Sequence, residues 1–142
     1  MPISKFEPAT QDERDIISLL IQYQEAKNNH DIDQLLSFLH DNGKFALQCG
    51  RMVTKGILKD ELPAFWDDIL SGNVAVFPIV HECINGEYYK TGMLNNPKIE
   101  VNNDTSMVTV LFTRGIGRVP FYVSMFRENN RWLITRTEWG DG

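Results

Sequence analysis

Cysteine is scarce in this sequence, and its placement argues against a cysteine-based metal site. The 142 residues include two cysteines, Cys49 and Cys83, without the Cys-x-x-Cys spacing that structural zinc sites use. The His-x-Glu and His-x-x-x-His patterns of other metal sites are missing as well. We therefore expect two reduced, buried cysteines and no metal site.

Long apolar runs and concentrated basic charge are also missing. No stretch of about 20 apolar residues is available to span a bilayer, and residues 1–6 lack the apolar region of a signal peptide. The net charge is −5, with the acidic residues dispersed and no basic patch for a phosphate backbone. We expect a cytoplasmic protein that binds neither membranes nor nucleic acid. Its length fits a single domain over residues 1–142.

The first half of the sequence carries the periodicity of amphipathic helices. Thr10 and Glu13 have capping-box spacing, and apolar residues recur behind them at helical intervals, which predicts a helix near residues 11–28. Asp31 begins a second, short helix in the same way. The third helix, predicted near residues 58–70, has an apolar face made of Leu58, Leu62, Phe65, Trp66 and Ile69.

The second half alternates in the manner of paired strands. Residues 99–101 and 106–113 flank a turn rich in Asn and Asp, and residues 119–127 and 131–139 flank another. Helices followed by long hairpins predict an α+β fold, with three N-terminal helices packed on a curved, mostly antiparallel sheet. In the strand predicted over residues 119–127, we expect the face that carries Tyr122 to line the interior of the domain.

Four short motifs occur in a recognisable order along the chain. They are a helix, break and helix with Tyr23 and Asp31; Gly56 before the third helix; Asn96-Pro97-Lys98-Ile99-Glu100-Val101 with Asp104-Thr105; and a final hairpin from Phe126 through Trp132 to Trp139. This order over residues 10–139 resembles the nuclear transport factor 2-like superfamily, in particular its SnoaL-like polyketide cyclase and ketosteroid isomerase branch. The resemblance implies a cone-shaped α+β domain with an internal pocket.

The resemblance also implies candidate catalytic residues. In the isomerase branch, a helix-1 tyrosine and a late-strand acid donate hydrogen bonds to an oxyanion, and a first-strand aspartate moves the proton. These positions correspond to Tyr23, Tyr122 and Leu47 in this sequence. The usual base is therefore missing, because neither Leu47 nor its neighbour Gln48 can accept a proton. The SnoaL-like branch uses a pocket histidine, whose usual position is Gly92 here, and the resemblance makes His81 the candidate to replace it as an acid or base near neutral pH.

Large planar side chains are the candidate walls of the pocket. Arg114 precedes a glycine-rich bend and has the planar fork that holds an anionic group. The aromatic candidates for ligand binding, each of which also fits a place in the core, are Phe38, Trp66, Phe112 and Trp139.

The resemblance leaves two functions open. The first is the binding of a small, largely apolar molecule that carries a carbonyl or hydroxyl group, with isomerase, dehydratase or cyclase chemistry that needs no metal or organic cofactor. The second is a non-catalytic dimerisation or protein-interaction module of the same fold. A homodimer through the sheet is expected under both.

Overall fold

Two α-helices and six strands make up the fold of the described part of the chain. The computed structural model describes residues 1–49, 52–64, 67, 92–114 and 117–140. Of residues 47–49, 52–55 and 114, only the backbone is described. In chain order the elements are α1 (Gln11–Asn28), α2 (Ile32–Ser37), β1 (Leu39–Cys49), β2 (Met52–Leu58), β3 (Met93–Asn102), β4 (Thr105–Arg114), β5 (Gly117–Glu128) and β6 (Arg131–Trp139). This order of elements confirms the predicted α+β class.

Both helices begin at the residues that the sequence predicts. The Thr10 hydroxyl accepts a hydrogen bond from the Glu13 backbone N–H at 3.1 Å, and the Asp31 carboxylate accepts one from Gln34 at 3.2 Å. Each bond satisfies a backbone donor that the first turn of a helix leaves unpaired. His30, at a φ of 57°, turns the chain between α1 and α2. The two helices therefore follow from local signals.

The six strands form one curved, mixed sheet in the order β2-β1-β6-β5-β4-β3. Neighbouring strands are antiparallel except β1 and β6, which are parallel. Both predicted hairpins are confirmed, with asparagines at positive φ in their turns: Asn103 joins β3 to β4, and Asn129 and Asn130 join β5 to β6. Register shifts in the β1–β2, β3–β4 and β5–β6 pairs mark the bulges that bend such sheets.

The region after α2 differs from the prediction. The sequence analysis did not predict β2, and Leu58 ends that strand instead of lying on a helix. A 3-10 turn follows over Lys59–Glu61, with the Glu61 carboxylate accepting the Leu58 N–H at 2.9 Å. Residues 62–64 and 67 are helical, and the rest of the predicted third helix lies outside the described residues. Three N-terminal helices are therefore not confirmed.

The core lies between α1 and one face of the sheet. Ile16 and Leu20 of α1 are buried, as are Phe121, Val123 and Met125 on the facing side of β5. Because side chains alternate along a strand, Tyr122 lies on the opposite, outer face. The alternation was predicted correctly, but the assignment of the interior face was wrong. Both faces of β5 carry apolar side chains, so periodicity could not distinguish the buried one.

Candidate functional site

A small cleft opens between the last turns of α1 and the inner face of the sheet. It holds about 230 Å³ of empty space. Most of that space is the open mouth, and the enclosed part has room for about one water molecule. The described residues that line the cleft are Tyr23, Gln24, Lys27, Asn28, Gly92, Leu94, Phe112 and Phe121.

Hydrogen bonds to the start of β3 fix the end of α1 over the sheet. The Asn28 amide donates to the Gly92 carbonyl at 3.0 Å and accepts from the Gly92 N–H at 3.1 Å. The Gln24 side-chain oxygen accepts from the Leu94 N–H at 2.6 Å. Because residues three and four apart share a helix face, these bonds also hold the neighbouring side chains of α1 against the sheet.

Gly92 allows the helix and sheet to approach this closely. A Cβ at this position would lie 1.8 Å from Cζ of Phe112, so any side chain would displace that ring. The Phe112 ring instead meets Trp139 edge-on, with centroids 5.0 Å apart, and Phe121 packs against Trp139 at 4.4 Å. Phe112 and Phe121 line the cleft, and Trp139 packs against both of them; we call this cluster of three rings the aromatic floor.

Lys27 places its ammonium over the aromatic floor. The Nζ atom lies 4.8 Å from the ring centre of Trp139, 5.0 Å from that of Phe112 and 5.8 Å from that of Phe121. Cation–π attraction favours this position, while the loss of hydration opposes the charge. Burial of the ammonium lowers the pKa of Lys27 from 10.5 to about 8. The residue as a whole is only partly buried, because the cleft opens to solvent.

Tyr23 lies one turn before Lys27 on the same face of α1. Its side chain is 8% exposed, and its ring stacks on that of Phe121 with centroids 6.4 Å apart. Burial raises the pKa of the Tyr23 phenol above its ordinary value, so the hydroxyl stays protonated at neutral pH. Tyr23 is therefore a neutral hydrogen-bond donor beside an amine of unusually low basicity.

Trp139 adds another polar group to the aromatic floor. Its indole Nε1 is buried and makes no hydrogen bond within the part of the chain that the structure describes. An unsatisfied buried donor costs about 1–3 kcal/mol.

Five of the predicted site residues have described side chains, and they lie in three different places. Tyr23 and Phe112 line the cleft, and Trp139 packs against Phe112 beside it. Phe38 is buried at the end of α2, where its carbonyl accepts the Ile134 N–H, and it is not among the described residues that line the cleft. Tyr122 lies partly buried on the outer face of β5, over the backbone of Gly140.

The predicted roles of Trp66, His81 and Arg114 remain predictions. Trp66 and His81 lie outside the described residues, and Arg114 ends β4 without a described side chain. Within the described residues, no group of three His, Cys, Asp or Glu side chains is arranged to hold a metal ion. No described helix is long and apolar enough to cross a membrane.

The sequence analysis missed Lys27 and Phe121. Lys27 follows Ile16, Leu20 and Tyr23 at helical spacing, so the periodicity of α1 already placed it on the buried face. A lysine on an otherwise apolar helix face was the feature of the sequence that could have identified Lys27 as a site residue. Phe121 was missed for a different reason, because its side of β5 was assigned to the exterior.

Comparison with known proteins shows similarity at the level of structure. No family model and no curated protein matches the sequence. A cystatin-like protein of unknown function from Nostoc punctiforme superposes with a TM-score of 0.66 at 15% identity, covering 95% of this chain and 94% of the other. The chain has the nuclear transport factor 2-like fold.

Two further structures with this fold are similar over nearly their whole length. One is a nuclear transport factor 2-like protein of unknown function from Pseudomonas putida, with a TM-score of 0.66, 17% identity, and coverage of 96% of this chain and 90% of the other. The other is a candidate aromatic ring hydroxylase from Novosphingobium aromaticivorans, with a TM-score of 0.69, 17% identity, and coverage of 94% and 91%. At these identities the nuclear transport factor 2-like fold is shared, and function must be argued from the site.

Proposed function

We propose that this protein binds a small, largely apolar molecule carrying a carbonyl or hydroxyl group at the mouth of the cleft. On this proposal, the protein is a member of the SnoaL-like branch of the nuclear transport factor 2-like superfamily. The observation that carries the proposal is the Lys27 ammonium, held over three aromatic rings within one turn of a protonated tyrosine. The aromatic floor supplies apolar contact, and a few polar groups fix orientation, as in most small-molecule sites.

Cofactor-free proton transfer is the chemistry that these side chains favour. A general base works best when its pKa is close to the ambient pH, and the pKa of Lys27 is about 8. Lys27 therefore supplies the proton acceptor that the isomerase-like position Leu47 does not. The Tyr23 phenol donates a hydrogen bond to the ligand oxygen as negative charge develops there. His81 remains a second candidate for acid or base.

Binding of one-ring compounds tests the proposal directly. Acetophenone and phenol are titrated into isotope-labelled protein, and backbone amide shifts are followed by NMR. We expect shifts at residues 23–28 and 92–94. Tyr23→Phe should weaken binding roughly five- to tenfold, the value of one hydrogen bond. Tyr122→Phe is the matched control, since it removes the same hydroxyl from the outer face. The proposal fails if neither compound shifts the cleft residues.

Proton transfer has its own measurement. Exchange of the acetophenone methyl protons for deuterium is followed in heavy water, with wild-type protein and with Lys27→Met. We expect exchange above the buffer rate only for the wild type, rising with pH through about 8 as Lys27 loses its proton. Equal exchange by both proteins would remove Lys27 from the proton-transfer role.

The outer sheet face supports a second candidate function, a homodimerisation module. Met107 and Phe126 are 42% and 38% exposed there. Tyr122, Leu111 and Leu133 share the same face, because they alternate with buried neighbours along β4, β5 and β6. Apolar side chains gathered on one exposed face are typical of protein–protein contact sites.

The mass of the protein in solution tests the second candidate. We expect wild-type protein to sediment as a dimer and Phe126→Glu to sediment as a monomer with an unchanged far-UV circular dichroism spectrum. Val101→Glu is a control, because Val101 is exposed at the end of β3 on the edge of the sheet. A monomeric wild type at high micromolar concentration would exclude the homodimer.

A further inference from the structure

We propose that Lys27 is an amine nucleophile that captures an aldehyde or ketone as an imine at the aromatic floor. This inference rests on the proposed function and deepens it. It narrows the ligand class from carbonyl or hydroxyl compounds to carbonyl compounds, and it gives Lys27 a covalent role.

The geometry of the cleft suits a reactive amine. Lys27 extends from the last turn of α1, which the hydrogen bonds of Gln24 and Asn28 hold on β3. Its Nζ is 4.8–5.8 Å from the three ring centres. A planar aromatic carbonyl compound held at the mouth of the cleft would bring its carbonyl carbon near the amine. The enclosed space is water-sized, so the ligand has to enter through the open mouth, where Lys27 is partly exposed.

The apolar surroundings also raise the fraction of amine that can react. Only the neutral amine attacks a carbonyl, and lysines used for imine chemistry are activated by desolvation. At pH 7.5, a pKa of about 8 instead of 10.5 gives roughly 200 times more neutral amine. A weaker base is also a weaker nucleophile, by about tenfold at a Brønsted slope near 0.4–0.5. Lys27 should therefore react roughly 20-fold faster than an exposed lysine.

The reaction requires no group beyond the two side chains and the ligand. The nitrogen lone pair of neutral Lys27 forms a bond to the carbonyl carbon, and the carbonyl π electrons move to oxygen. A proton passes from nitrogen to that oxygen, which gives a carbinolamine. Tyr23 then donates a hydrogen bond to the hydroxyl, the nitrogen lone pair forms the C=N bond, and the C–O bond breaks. The departing hydroxide takes the proton of the iminium nitrogen, so that the net products are one imine and one water.

Reductive trapping tests this inference. Wild-type protein is incubated with benzaldehyde at pH 7.5, sodium borohydride is added, and the modified lysine is identified by peptide mass spectrometry. Borohydride converts an imine to a stable secondary amine, so that a benzyl group stays on the lysine. Lys98, which is exposed on β3, is the internal reference. We expect labelling of Lys27 to exceed that of Lys98 by roughly 20-fold and to rise with pH through about 8.

Two variants separate the inference from the proposed function. Lys27→Arg keeps a positive charge but cannot form an imine, so labelling at position 27 should disappear. Tyr23→Phe should slow the trapping of Lys27 without moving the pH at which labelling is half-maximal. Equal labelling of Lys27 and Lys98 would overturn the imine, even if acetophenone binds. The proposed function fails as well if none of acetophenone, phenol and benzaldehyde shifts the amide signals of the cleft residues and benzaldehyde does not label Lys27.

Discussion

Replacement of Lys27 by methionine should stabilise the protein at neutral pH. Methionine keeps much of the apolar stem and removes the ammonium from its position over the aromatic floor. A tenfold change in proton affinity is worth about 1.4 kcal/mol. The fall in pKa from 10.5 to about 8 therefore corresponds to roughly 3 kcal/mol of lost hydration. Cation–π attraction and the other contacts of Lys27 offset part of this penalty. We expect a net gain on the order of 1 kcal/mol.

The advantage of Lys27→Met should depend on pH in a defined direction. Below about pH 8, Lys27 is charged in both the folded and the unfolded protein, so the full penalty is present. Between about pH 8 and 10.5 the folded protein has released this proton and the unfolded protein still holds it. Stability rises with pH wherever the unfolded state binds more protons. The wild type should therefore approach the variant in stability as the pH rises from about 8 to 10.

Urea unfolding followed by tryptophan fluorescence measures this difference at pH 7, 8, 9 and 10. The difference in the free energy of unfolding between wild type and Lys27→Met is plotted against pH. This difference cancels the contributions of the other titrating groups, among them Tyr23, whose pKa is raised. Lys98→Met is the control, and it should change the free energy of unfolding by less than about 0.5 kcal/mol at every pH. A Lys27→Met protein that is less stable than wild type at pH 7, or a difference that does not vary with pH, would refute the reasoning.

Three further substitutions test two contacts at the cleft and one ion-pair network at the other end of α1. Gly92→Ala should cost about 1–3 kcal/mol in thermal or urea unfolding, since its Cβ collides with Phe112, and adding Phe112→Leu should recover part of the loss. Asn28→Ala breaks both hydrogen bonds to Gly92 and should cost about 1–3 kcal/mol. Gln22→Ala, on the exposed side of α1, is its control and should cost far less. Arg127→Lys keeps the positive charge but loses the planar guanidinium that bonds Asp12 and Asp104. We expect the free energy of unfolding to fall by about 1 kcal/mol, and by less at high salt. An unchanged midpoint of urea unfolding would contradict this.

Local patterns in the sequence determined the helices at the start of the chain and the hairpins at its end. Thr10 and Asp31 cap their helices through contacts within three residues, and the turns at Asn103 and Asn129 connect strands of alternating residues. Interactions of this range are readable from spacing alone. The order of these elements also indicated the nuclear transport factor 2-like fold, which the solved structures share.

Only the tertiary structure decided which residues form the cleft. Both faces of β5 are apolar in sequence, and contact with α1 selects the face of Phe121 rather than that of Tyr122. The strand β2 exists because it pairs with β1, which no local signal indicated. Lys27 has an ordinary helical position, and its low pKa arises from rings on β4, β5 and β6, up to 112 residues away along the chain. Periodicity indicates that a residue is buried, but its chemistry depends on partners that distant segments bring to it.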